Sequence, residues 1–169
     1  QDARVIVTTT THILPVTAPL PPGMRVVGVP LPNGKLGPVE HPERLRRECD
    51  FLFLESDGSR GLPVKAPADH EPALLPETEL VIAVQGMTAF GKPISAVCHR
   101  PERVCALLGK KPEDVLRPAD GAALLLSSQG QQKGVEHRRY AVVLNQADGD
   151  AEKGYALEIA ACLPEDVSC

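Results

Sequence analysis

The 169-residue sequence has no tryptophan, two tyrosines and three phenylalanines, so any core it builds must be aliphatic. It also lacks an apolar run approaching the roughly 20 residues that a membrane-spanning helix needs, so no membrane association is expected. Gln1–Arg4 is polar and leads at once into a strand-like run, which leaves no visible signal peptide and points to a cytoplasmic protein. Basic charge is not in excess. Lys plus Arg is 18 against 22 for Asp plus Glu, a net charge of −4, which argues against a nucleic-acid partner. Five cysteines, at 49, 98, 105, 162 and 169, are odd in number and form no Cys-x-x-Cys, so reduced thiols are expected. Cys98 and Cys105 are seven apart and read as core residues on one helix face. His12, His41, His70, His99 and His137 are scattered, and no structural zinc site is expected.

What is present suits one globular α/β domain over residues 1–169. A hydrophobic fraction of 43% and a charged fraction of 24% exclude a disordered chain. Arg4–Thr11 and Met24–Val29 are rich in β-branched residues and read as strands, the second followed by a turn at Pro32-Asn33-Gly34. Phe51–Leu54, Glu79–Val84 and Tyr140–Leu144 are continuous apolar runs, the pattern of strands covered on both faces. Helices are expected at His41–Cys49, where Glu43 and Arg47 are spaced for an i,i+4 pair, and at Arg100–Leu108, Pro118–Ser127 and Ala151–Leu163. Alternating strands and helices predict a mainly parallel sheet with flanking helices, in which the three apolar strands are neighbours. The Pro-rich stretch 58–78 reads as a long irregular connection, and loops of that length are usually functional or disordered.

The ends of the strands carry the chemistry. The first strand runs into Thr8-Thr9-Thr10-Thr11-His12, Phe51–Leu54 into Glu55-Ser56-Asp57-Gly58, Leu80–Val84 into Gln85-Gly86, and Tyr140–Leu144 into Asn145-Gln146-Ala147-Asp148. Open parallel sheets bind ligands outside the carboxyl ends of their strands. Glu55, Gln85 and Asn145 are therefore expected along one ligand-facing edge.

Each element has two readings. Glu55-Ser56-Asp57 resembles the acidic end of a Walker B strand, where Asp57 or Glu55 could hold Mg²⁺ beside phosphates, with Arg60 on the same edge. The alternative is a tight glycine-flanked turn. Asn145-Gln146-Ala147-Asp148 resembles the Asn-Lys-x-Asp element of GTP-binding proteins, in which a carboxylate accepts from two donors of guanine. Gln146 stands where that element has Lys. The alternative is an ordinary strand-to-helix turn in which Asp148 or Asp150 caps the last helix. The one Gly-x-x-x-x-Gly-Lys, Gly86 to Lys92, is followed by Pro93, which has neither a hydroxyl for Mg²⁺ nor an N–H for phosphate, and is read as a chance match.

Thr8–Ile13, Glu55–Pro67, His70-Glu71-Pro72, Gly91-Lys92-Pro93, His99–Glu102 and Asn145–Asp148 occur in one order. Together they resemble the YqeC-type accessory proteins of selenium-dependent molybdenum hydroxylases. The thirteen residues from Glu55 are the most specific part. The resemblance implies a fold similar to phosphate-loop NTPases and a role in maturing a selenium-containing molybdenum enzyme. It also implies a glycine-rich phosphate loop in a strand–loop–helix unit upstream of the Thr-rich strand. The 169 residues begin at that second strand, so an N-terminally truncated NTPase-like fold is expected, or a member that has lost the loop.

The functional expectation is a nucleotide-dependent maturation factor using Mg²⁺ and a purine nucleotide, GTP or ATP, with NTP hydrolysis as its possible reaction. Glu55, Asp57 and Arg60 are the candidate catalytic residues, with Asp57 the candidate Mg²⁺ ligand. Thr10 and Thr11 would line the phosphate side, and Asn145 and Asp148 would read the base. Lys65, His70, Arg60 and Arg100 are candidates for a second site suited to an anionic cofactor or a selenium species. The expected partners are the nucleotide and the molybdenum hydroxylase or its cofactor. The alternative is a non-catalytic binding module on a degenerate NTPase fold.

Overall fold

The computed structural model describes residues 2–169, and Gln1 lies outside the described residues. The chain divides into two compact units, Gln1–Gly58 with His70–Glu77, and Ser59–Asp69 with Thr78–Cys169. Each is described by itself.

In the first unit, β1 (Val5–Thr9) is the middle strand of a parallel three-stranded sheet. It lies between β2 (Met24–Val26) and β5 (Phe51–Glu55), with Val5 opposite Phe51 and Thr9 opposite Glu55. The run expected as one strand over Met24–Val29 is split, because β2 stops at Val26 and β3 (Val29–Pro30) turns away to pair antiparallel with β4 (Leu36–Gly37). The turn between them uses Gly34 at φ +76°, a left-handed conformation that glycine adopts without steric cost.

The helix expected at His41–Cys49 is a 3₁₀ segment, Pro42–Glu48. Three residues per turn removes the i,i+4 alignment of Glu43 with Arg47. Glu43 instead meets His41 Nδ1 at 3.1 Å, and Arg25 pairs with Glu48. Fully enclosed hydrophobic side chains are few here: Ile6 and Cys49, among the described residues.

The second unit holds the aliphatic core. It contains β6 (Val64–Lys65), β7 (Leu80–Gly86), α1 (Ile94–Val97), β8 (Cys98–His99), α2 (Pro101–Leu108), α3 (Pro118–Leu126), β9 (Arg139–Asn145) and α4 (Asp150–Ala160). β7 pairs parallel with β9, and β6 with β8. Ala83 and Val142 are register partners and face the core, where Leu124, Leu125 and Val104 of the helices and Ile159 of α4 meet them. Pro118 starts α3, and Asp120 accepts from the Arg117 N–H at 2.7 Å, so a first-turn carboxylate satisfies an end donor.

Three expectations need correction. Only two of the three apolar strands are hydrogen-bonded neighbours: Leu80–Gly86 pairs parallel with Arg139–Asn145 as expected, whereas Phe51–Glu55 pairs with β1. An apolar run reports that a strand can be buried and says nothing of its partner. Nor are these strands covered on both faces. Phe51 and Phe53 on β5 are exposed, as are Leu80, Ile82 and Val84 on β7 with Val143 beside Val84 on β9. Finally, stretch 58–78 contains β6, and Val64–Ala68 is buried, so it is only partly irregular.

Cys98 and Cys105 are both buried, but they do not share a helix. Cys98 opens β8 and Cys105 lies in α2. Arg100 precedes proline, which disfavours helical backbone there, and the helix begins only at Pro101. Burial, with a smaller contribution from Cys105, pushes the Cys98 thiol up to about 12. All five cysteines are free. Among the described residues no helix is long and apolar enough to cross a membrane.

Two outcomes follow from this packing. A Cβ at Gly121 would stand 2.6 Å from Phe90 Cζ and 2.7 Å from Gln85 Oε1. Gly121→Ala should therefore destabilise the protein by about 1–3 kcal/mol in a urea melt, despite alanine's better helix propensity. A gain in stability would show that α3 and β7 are not in close contact. In the first unit, Asp50 accepts from the Arg4 guanidinium at 2.8 Å and from the Arg4 backbone N–H at 2.9 Å. These bonds hold its carboxyl down at about 2. Its contribution to stability is complete above the ordinary carboxylate range and is lost as pH falls through the folded value. NMR titration should find Asp50 at about 2 and, in Arg4→Gln, raised toward its ordinary value but still below it, because the backbone N–H of residue 4 still donates to it.

Candidate functional site

The densest polar cluster of the first unit forms where β1 and β5 end side by side. Parallel pairing puts both carboxyl ends at one edge, and the register sets Thr9 against Glu55. The Thr9 hydroxyl, fully buried, donates to Glu55 Oε2 at 2.7 Å and accepts from the Thr11 N–H at 2.8 Å. The Thr11 hydroxyl also donates to Glu55 Oε2. Thr10 is held by its N–H to Glu55 O at 2.9 Å and by its hydroxyl to Ala73 O at 3.0 Å. Ala73 in turn donates to Ser56 O at 3.0 Å, which ties the segment after His70 to the same edge.

Gly58 closes the cluster. A Cβ there would lie 3.4 Å from Glu55 Oε1 and 3.8 Å from Thr11 Oγ1, ordinary contact distances that place Gly58 directly beside the carboxylate. Thr8 Oγ1 is buried with no hydrogen-bond partner. Asp57 is half-buried, two residues beyond Glu55.

The expected site residues are thus divided between the two units. Thr10, Thr11 and Glu55 come together in the first unit, with Asp57 next along the chain. Arg60 belongs to the second unit, exposed in a turn at φ +55°. Lys65 and Arg100 also belong to the second unit, near one another through the β6–β8 ladder, whereas His70 belongs to the first unit and is exposed there, 3.8 Å from Glu71.

Asn145 and Asp148 are exposed at the end of β9, also in the second unit. Asn145 Oδ1 accepts from the Gln146 N–H at 2.9 Å. Gln146 has left-handed backbone, φ +60°, and its Oε1 accepts from the Thr88 hydroxyl at 2.7 Å. Gly86, opposite Asn145 in the ladder, must lack a side chain: a Cβ would lie 2.5 Å from Gln146 Oε1 and 2.6 Å from Pro63. The cap position of α4 is Gly149, so neither Asp148 nor Asp150 is its cap residue.

Gln85 is not on a ligand-facing edge. It is fully buried, with Nε2 3.4 Å from Gly121 O and Oε1 unpartnered. Strand alternation puts it on the core face with Ala83. The Gly86–Lys92 stretch is also committed elsewhere. The N–H groups of Gly86, Phe90 and Gly91 donate to Pro63, Met87 and Leu116 carbonyls, and Met87, Ala89 and Phe90 are buried.

Sequence reasoning missed Thr9 as the central donor, because a residue inside a β-branched strand carries no mark of function. It missed His99, whose register partner is Lys65. It also missed Lys133, which donates to the carbonyls of Ala68 and Asp69, and no local pattern could have found it. Among the described residues, no three His, Cys, Asp or Glu side chains are grouped to hold a metal ion.

The comparisons with known proteins agree on one family. The family described as YqeC protein matches over residues 1–102. An uncharacterized protein, YqeC, of Escherichia coli (strain K12) is 34% identical over 155 residues, covering 78% of this chain. The chain spans 60% of the length of that relative. No solved structure matches.

The Thr–Glu55 geometry makes a direct expectation. Glu55→Gln replaces a charged acceptor by an amide and disrupts bonds from two hydroxyls, and should cost about 1–3 kcal/mol in a urea melt. Thr9→Val should cost a similar amount, and Thr10→Val less, about 0.5–1.5 kcal/mol. Equal effects at Thr9 and Thr10 would show that Thr9 is not the centre of the network.

Proposed function

The chain belongs to the YqeC protein family, and from that premise we propose a nucleotide-dependent accessory factor for the maturation of selenium-dependent molybdenum hydroxylases, acting in the cytoplasm. One observation carries the nucleotide part of this reading. Three threonines and Glu55 converge at the carboxyl ends of two adjacent parallel strands, where sheets of this type bind ligands.

The donor set suits a Mg²⁺–nucleotide. Glu55 and the Thr hydroxyls are hard oxygen ligands, and Mg²⁺ is commonly held by one or two carboxylates together with substrate phosphates. Glu55 or Asp57 would hold the ion, which supplies neutralising charge for phosphates. In the first unit Thr10 and Thr11 would orient the phosphate side; taken by itself, the second unit offers Asn145 and Asp148 as base-reading groups and Arg60 as a positive charge. The phosphate loop implied by the family resemblance is not among these residues. A fold related to phosphate-loop NTPases is part of the same proposal.

A second reading is a binding module without hydrolysis. It is favoured by how the acceptors are used: Glu55 Oε2 already takes two threonine hydroxyls, and Asn145 Oδ1 takes a neighbouring N–H.

Titration of GTP and ATP with Mg²⁺ tests both readings. GTP should bind with a modest preference, because Gln146 replaces the lysine whose stem covers the base. Charge-assisted bonds to guanine contribute on the order of 1.5–3 kcal/mol each, so Asp148→Asn should weaken GTP at least about tenfold and leave ATP nearly unchanged. Binding with no phosphate release would select the module. Failure of both nucleotides to bind would overturn the nucleotide reading.

A further inference from the structure

Backbone groups alternate along β7 as its side chains do, and two hydrogen bonds fix the phase. Glu79 O accepts from the Arg139 N–H at 3.1 Å, so residue 79 turns its carbonyl toward β9. The Gly86 N–H donates to Pro63 O at 2.8 Å, so residue 86 turns away from β9. Val81, Ala83 and Gln85 therefore bond into the β9 ladder, while Leu80, Ile82 and Val84 aim their N–H and C=O groups at the opposite edge. Among the described residues β7 pairs with β9 alone, and the bond to Pro63 is the sole backbone bond on that other edge.

The same three residues carry exposed side chains. Leu80, Ile82 and Val84 are 38%, 41% and 55% exposed, while Ala83 and Gln85 on the other face are buried. The outer edge of β9 differs, since Val142 donates to Ser168 O at 2.8 Å and Ser168 bridges to Ala141. An unpaired apolar edge invites another strand, and proteins usually blunt such edges with charge, proline or a bulge. β7 carries neither charge nor proline, and its register with β9 runs without a break.

A two-fold axis through Ile82 makes this edge complementary to itself. Strands related by such an axis run antiparallel. Ile82 then lies opposite Ile82 of the second copy and Leu80 opposite its Val84, so outward groups meet outward groups. Each opposed pair of this kind exchanges two bonds, about six in all. Just beyond, Glu79 comes opposite Gln85 and Glu77 opposite Met87, so no like charges are opposed. We propose that the free edge of β7 pairs with the β7 edge of a second copy of this chain, joining two β7–β9 pairs into one four-stranded sheet. The contact uses each β7 edge once and the outer edge of β9 is occupied, so the assembly closes at a dimer. It uses no residue of the nucleotide reading.

The test is sedimentation of the 169-residue protein across concentrations, with amide hydrogen exchange followed by NMR in parallel. A contact of this size should dissociate between about 10 μM and 1 mM. As concentration rises through that range, the Leu80, Ile82 and Val84 amides should gain at least about tenfold protection, while those of Val81, Ala83 and Gln85 stay protected throughout. Ile82→Lys sets two like charges facing each other on the axis and should raise the dissociation constant at least about tenfold. Val143→Lys charges the same exposed face but not the edge, and should change it less than about threefold. If Ile82→Lys does not fold, Ile82→Pro decides, because it removes an outward N–H and leaves the β9 bonds in place.

A monomer at about 1 mM overturns the proposal. So does a dimer whose Leu80, Ile82 and Val84 amides exchange freely. A dimer that Val143→Lys weakens as much as Ile82→Lys does would be held by the face and not the edge, and overturns it too. Protection of those three amides in a monomer at every concentration does the same, because a segment of the same polypeptide would then hold the edge.

Discussion

One register organises the polar edge of the first unit: Thr9 opposite Glu55 in a parallel ladder. Parallel strands end at the same edge, so whatever follows each strand is delivered to one place. With Thr9 in register, its hydroxyl reaches the Glu55 carboxylate and also receives the Thr11 N–H, which folds the threonine run back over the strand ends. A one-residue slip would turn Glu55 to the other face of the sheet and leave a buried hydroxyl without its partner. Gly58, beside the carboxylate, and the Ala73–Ser56 bond then border the same edge.

Much of the local structure was legible because its signals are local. Continuous apolar runs located β5, β7 and β9, and Pro118 with Asp120 located the start of α3. The parallel α/β character followed from the alternation, and the motif order identified the family. Pairing was not legible. Phe51–Leu54 and Leu80–Val84 look alike as sequences, yet they join different ladders, since the choice of partner depends on non-local geometry. β6 and β8 are two residues each and carry no periodicity at all. Only their pairing gives Lys65 and His99 a shared face.

The candidate site shows the same division. Thr10, Thr11 and Glu55 were readable because polar residues at a strand end have few structural reasons to cluster. Thr9 was not, because a threonine inside a β-branched run looks like strand chemistry. Around Asn145–Asp148 the motif was readable, but the device holding it was not. Thr88 lies 58 residues from Gln146, and the need for glycine at 86 arises from Gln146 and Pro63 crowding the same spot. Among the histidines, the sequence favoured His70 because it sits in the Pro-rich block. The fold leaves that side chain exposed and pairs His99 with Lys65 instead.

The two units also rest on different forces. The second encloses a contiguous aliphatic core from Val64 to Ile159, so its strand ends are held by packing that salt and moderate pH changes barely touch. The first encloses little hydrophobic volume beyond Ile6 and Cys49 and relies on directional bonds: Arg4 to Asp50, Arg25 to Glu48, and threonine hydroxyls to Glu55. Exposed ion pairs of this kind contribute little each and weaken with salt. The cluster at the ends of β1 and β5 therefore sits on the less strongly packed of the two units. Its geometry depends on the Glu55 carboxylate accepting from both threonine hydroxyls. Any anion brought close to that carboxylate would meet its negative charge unless a cation came with it, so under the proposed nucleotide reading Mg²⁺ and nucleotide would have to bind as a pair.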